Sequence, residues 1–112
     1  MESAVDLVKR NGWAGLGYDN EAAAKGADPR LPSAFAAFIG NLSAALHGAG
    51  HRLVVDVTST WHGNLAGPEV LPLYAKHAPD ATFMDMAEYF NGFPNHQTMP
   101  QTLANLGSML GR

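Results

Sequence analysis

Cysteine is absent from the 112 residues, which excludes a disulfide scaffold, a thiol nucleophile and any thiolate metal site. Charge is sparse as well. Seven basic and ten acidic side chains make up 15% of the chain, against about 25% in an average soluble domain. The net charge is −3, and without a run of Lys or Arg there is no electrostatic grip on a phosphate backbone. No nucleic-acid partner is therefore expected. No apolar stretch approaches the ~18 residues that a membrane span needs. The opening MESAVDLVKRNG is acidic and amphipathic, so no signal peptide is read in it and the compartment stays open.

Hydrophobic residues account for 46% of the chain, enough for a packed core rather than disorder. The length suits one domain spanning residues 1–112. Twelve glycines and seven prolines punctuate it, and the pattern they divide is the most informative feature. Glu2 to Arg10 reads as a helix with Val5 and Val8 on one face, stopped by Asn11-Gly12. Trp13 to Asp19 is short, glycine-rich and bounded like a strand. Pro32 suits the first turn of a helix, in which Phe35, Phe38, Ile39, Leu42 and Leu46 recur at spacings of three and four.

Gly48-Ala49-Gly50 ends that helix. Leu53 to Thr58 is a continuous β-branched run, which predicts a strand buried on both faces. Pro68 to His77 predicts a helix that Pro72 either kinks or delays. Ala81 to Ala87 is a third apolar strand, and Met99, Leu103, Leu106 and Leu110 outline a last helix.

The order α-β-α-β-α-β-α predicts an α/β fold of parallel (β/α) units joined by crossovers. Two architectures accept it: a small doubly wound sheet, or part of a TIM (β/α)8 barrel. A whole barrel needs about 250 residues, so this chain would supply near half of one. Open edges and apolar strand faces then predict association with the remaining barrel strands or with itself.

Ligands of both architectures sit beyond the carboxyl ends of the strands. The first strand runs out as Gly15-Leu16-Gly17-Tyr18-Asp19-Asn20-Glu21. Strict alternation would place Asp19 and Glu21 on one face, roughly 6–7 Å apart. Two such carboxyls push their pKa values apart, which leaves one protonated as a general acid. The plainer reading is a solvated loop start or a helix cap. Asp56 reads equally as a strand-end polar ligand or as a hydrogen-bonded structural residue. His62 is either a ligand contact or an ordinary loop histidine.

His47 and His51 are separated by helix-breaking residues and no His-Glu-x-x-His exists, so no metal is expected. His47 and His77 read instead as half-buried residues near helix ends. Gly15-x-Gly17 lacks the remainder of a dinucleotide fingerprint, and no cofactor is expected.

The stretches GLGYDNEA, FAAFIGNLSAALHGAGHRLVVDVTSTW and TFMDMAEYF together resemble the middle of a chitinase-like glycoside hydrolase of family 18, in a divergent branch. That family has a (β/α)8 barrel whose fourth strand ends close to D-G-x-D-x-D-x-E, followed by a helix F-x-x-F-x-x-x-L-x-x-x-L and a valine-rich strand. Gly15, Asp19 and Glu21 match the first pattern; Phe35, Phe38, Leu42 and Leu46 match the second. Leu46-His47, Gly50, Leu53 and Val55-Asp56-Val57 resemble an L-H-x-x-G-x-x-L-x-V-D-V segment of the divergent branch. The likeness runs from about Val5 to Gly92 and extends to the final helix.

The resemblance implies a partial barrel containing about the fourth to sixth strands. It implies hydrolysis of O-glycosidic bonds in N-acetylhexosamine-containing glycans, with Glu21 as general acid and Asp19 orienting it. In that family the acetamido group of the substrate is the nucleophile. Trp61 and Tyr89 would stack on sugar rings, and Asp56 and Glu88 would complete the binding set. Secretion is what the family suggests.

The chain departs from the pattern where Ala14 and Gly17 replace its first two aspartates. It departs again where Met86-Ala87-Glu88-Tyr89 replaces Met-x-Tyr-Asp, so that Glu88 or Tyr89 takes the tyrosine position and Asp85 is an ambiguous match. The alternative is a catalytically inactive carbohydrate-binding barrel; an α/β scaffold without a sugar site is a third reading.

Overall fold

The computed structural model describes residues 2–22, 28–58, 62–86 and 99–111, with 99–103 as backbone only. Helix α1 spans Ala4–Asn11 and begins in a capping box. The Asp6 amide donates to Ser3 Oγ at 3.1 Å while the Ser3 amide donates to the Asp6 carboxylate at 3.4 Å. Gly12 ends it in the left-handed conformation at φ 66°, which costs glycine little.

Strand β1 is Gly15–Tyr18, α2 is Leu31–Gly48 and β2 is Arg52–Val57. Helix α3 covers Leu71–His77, β3 Thr82–Asp85 and α4 Met99–Leu110. Pro32 and Pro72 both stand in the first turns of their helices, where a missing N–H is harmless. Pro72 therefore delays α3 rather than kinking it.

The three strands lie in the order β1-β2-β3, all parallel. Their register aligns Gly17 with Val54 and Thr82, and Tyr18 with Val55 and Phe83. Aligned residues share a face, so one face carries Leu16, Tyr18, Leu53, Val55, Val57 and Phe83. That face holds the core. Leu53, Val55 and Val57 join one buried cluster with Val8 of α1, Ile39 and Leu46 of α2, Leu71 and Tyr74 of α3, and Leu106 and Leu110 of α4. Four rings run across it from β1 to β3. Tyr18 meets Phe35 at 5.7 Å, Phe35 meets Tyr74 at 6.1 Å and Tyr74 meets Phe83 at 6.2 Å between centroids.

The opposite face carries Gly17, Arg52, Val54, Asp56, Thr82 and Met84. None of them is buried, and Met84 is 50% exposed. Residues of β2 therefore alternate between buried and accessible, which corrects the expectation of a strand buried on both sides. Val54 hides the alternation in the sequence because it is as apolar as its inward neighbours.

Successive helices pack side by side, α1 on α2, α2 on α3 and α3 on α4, and all four reach the same core cluster. Right-handed crossovers between strands in sequential order put their helices on one side. Covering both faces requires a reversal of strand order, and the described strands show none.

Candidate functional site

All three strands deliver their carboxyl ends to one edge of the sheet. Because Tyr18 aligns with Val55, the next step along each strand brings Asp19 beside Asp56. Adjacent parallel strands are about 4.8 Å apart. Asp56 is half-buried and Asp19 is exposed. Burial first, and the charge of Asp19 second, push the Asp56 carboxyl above the usual carboxylate range. No side chain among the described residues gives Asp56 a hydrogen bond or an ion pair. The structural alternative for Asp56, a carboxylate held by hydrogen bonds, is not what these residues form.

Strand β1 ends at Tyr18, so its alternation stops short of Glu21. Glu21 lies exposed in the following loop. Asn20 shapes that loop: its Oδ1 accepts the Ala22 amide at 2.9 Å. The structure thus brings Asp19 together with Asp56 across strands, a neighbour that no local spacing reveals. Asp85 aligns with Val57 and belongs to the helix-bearing face. Trp61, Glu88 and Tyr89 lie outside the described residues.

The loop after β2 is tied down on three sides. The Leu65 amide donates to the Ala22 carbonyl at 2.9 Å, and the Thr58 amide donates to the Ala66 carbonyl at 2.8 Å. Asn64 is buried, with its Oδ1 accepting the Ala66 amide at 2.7 Å. The Tyr74 hydroxyl, itself buried, donates to the Leu65 carbonyl. The turn-forming run Gly63-Asn64-Leu65-Ala66-Gly67 is the only signal of Asn64 in the sequence.

His62 sits on the rim of this loop, its Nδ1 2.8 Å from Glu69 Oε1. Burial acts to raise the Glu69 carboxyl. Hydrogen bonds from its own backbone, His62 and Gly63, with the charge of His62, outweigh burial and hold it below its usual value. The His47 imidazole is exposed, 3.9 Å from Asp80, and His77 is exposed too, so neither is the half-buried residue that its helix-end position suggested. Among the described residues no group of three or more His, Asp or Glu could hold a metal ion, and no helix is long and apolar enough to cross a membrane.

The chemistry available at the strand ends is that of a carboxyl pair. One member keeps its proton to higher pH because it is desolvated beside the other's negative charge. Such a pair can donate and accept a proton at neighbouring positions. No protein-family model, curated protein or solved structure matches the chain. The class that the fold and site define is an α/β protein of parallel β-α units with acidic strand ends.

Proposed function

We propose that the chain forms a wall of a (β/α)8-type barrel that hydrolyses O-glycosidic bonds in N-acetylhexosamine-containing glycans, with Glu21 as general acid. The observation that carries this reading is the Asp19–Asp56 pair at the carboxyl edge of the helix-free sheet face. In a barrel that face lines the interior, and its strand-end rim binds substrate. Sequential strands with their helices on one side support the same architecture.

Within this reading Asp19 steadies the charge that develops on the substrate's acetamido group, and Glu21 protonates the departing oxygen. Gly17 stands where the family pattern has an aspartate to hold Asp19 in place. Asp56 fills that role from the adjacent strand. A carboxyl that retains its proton to higher pH can donate a hydrogen bond to Asp19. Trp61 and Tyr89 stack against the sugar, and Glu88 contributes a polar contact.

The test is release of reducing ends from a β-linked N-acetylhexosamine oligomer. Glu21→Gln is expected to lower the rate by about 10²–10⁴-fold while leaving calorimetric binding intact. An unchanged rate in Glu21→Gln removes Glu21 from the mechanism. The second reading, a carbohydrate-binding barrel without activity, is favoured by Gly17 in the aspartate position. Binding without turnover in the unmodified protein selects it.

A further inference from the structure

The helix-free face of the sheet carries charges of both signs, and their placement has a symmetry. On β2, Arg52 marks the amino end, Val54 the middle and Asp56 the carboxyl end. Arg52 and Asp56 are four residues apart, or about 13 Å. Gly17, Val54 and Thr82 form a row across the three strands between them. Arg52 is exposed and has no ion-pair partner among the described residues. Asp56 and Asp19 likewise have no cation there. Among the described residues, one face therefore presents a guanidinium without an ion-pair partner at one end and two carboxyl groups without a cation at the other.

We propose that this face is covered by a second copy of the chain, stacked sheet on sheet with strands antiparallel about a two-fold axis along the Gly17–Val54–Thr82 row. That axis sets Arg52 of each copy against Asp56 and Asp19 of the other, as an isologous contact requires. The alternative two-fold, parallel to the strands, sets Arg52 on Arg52 and Asp56 on Asp56 and is repulsive. Electrostatics selects the antiparallel arrangement.

The middle row suits close approach. Nothing lies within 4 Å of a Cβ built at Gly17, and Val54, Thr82 and Met84 supply a small apolar and hydroxyl surface. Stacked sheets settle about 10 Å apart with such side chains between them.

This pairing does not rest on the hydrolase reading. A second copy takes the face only where no further barrel strands close over it; because it covers Asp19 and Asp56, pairing and sugar access exclude one another, and molecular mass reports on the pairing whether or not any glycan is cleaved.

Sedimentation equilibrium at low salt is expected to give a dimer. Arg52→Glu and Asp56→Arg should each weaken it by about tenfold or more, because each places like charges in contact. The doubly exchanged variant R52E/D56R should regain part of the lost affinity, limited by the unchanged charge of Asp19, and a fold defect in either single variant would allow no recovery. Half-molar salt should also loosen the wild-type dimer. A wild-type chain that stays monomeric at hundreds of micromolar overturns the proposal and leaves the face to another partner. So does a dimer indifferent to Arg52→Glu, or failure of the double variant to recover.

Discussion

The backbone of Gly40, midway along α2, lies against the carbonyl of His77 at the end of α3, so that a Cβ on residue 40 would overlap that oxygen. The contact lets the two helices approach side by side over the core. Gly40→Ala must separate them or displace α3, at a cost of about 1–3 kcal/mol. Gly48, the last residue of the same helix, has nothing within 4 Å of its Cβ position. There the same exchange reduces the freedom of the unfolded chain and should stabilise by about 0.4–1 kcal/mol. Urea titrations of the two variants should move in opposite directions. A Gly40→Ala midpoint at or above wild type contradicts the helix contact.

The contrast illustrates which features were legible from sequence. Phe35, Ile39, Leu42 and Leu46 announce α2 because their spacing is a property of one helix. Gly12 and Pro32 announce boundaries because their backbone limits are local. Gly40 looks like any helix glycine until α3 is laid against it. Asp56 looks like part of a buried run until β1 and β3 reveal which of its neighbours face the helices. The Asp19–Asp56 pair depends on strand register, which no short stretch encodes, so spacing along β1 pointed to Glu21 instead. Ser3 and Asp6 were a readable capping box, three residues apart, that the helical pattern alone did not disclose.

Tyr74 fastens the loop after β2 to α3 by donating to the Leu65 carbonyl. Burial, and secondarily the nearby Tyr18, raise its phenol well above the ordinary value of 10.0. The unfolded chain releases this proton near pH 10 while the folded chain retains it. The associated stability is thus present below pH 10 and is lost as pH rises beyond it. Tyr74→Phe should leave the ring stack with Phe83 in place and cost about 1–3 kcal/mol at neutral pH, because the Leu65 carbonyl loses its donor. It should also flatten the alkaline limb of the stability profile. An alkaline limb identical to wild type would falsify the assignment of that limb to Tyr74.

Asp56 predicts the opposite sense of substitution. Its carboxyl is raised by burial and by Asp19, so between its unfolded and folded values the native chain holds more protons than the unfolded chain. Stability therefore declines as pH climbs through that window, and the loss persists above it. On dilute, monomeric protein, Asp56→Asn should unfold at higher urea than wild type at pH 7. The difference should vanish at pH 3, where wild-type Asp56 is protonated in both states. A lower midpoint at pH 7 means that Asp56 has a stabilising partner after all.

The role proposed for Asp56 can be isolated at Gly17. Residue 17 shares the helix-free face with Asp56 and offers free space for a side chain. It is also the position at which the glycosidase pattern carries an aspartate. If Asp56 holds Asp19 in orientation from the neighbouring strand, Asp56→Asn should depress hydrolysis of an N-acetylhexosaminide by about 10-fold or more. Adding Gly17→Asp to that variant should restore most of the rate, because the missing carboxyl is then supplied from β1. Gly17→Asp alone should fold, since a Cβ at residue 17 meets no atom within 4 Å. Recovery in kcat with little change in KM distinguishes orientation of Asp19 from a general repair of binding. A double variant no faster than Asp56→Asn alone would show that the two positions do not serve the same carboxylate.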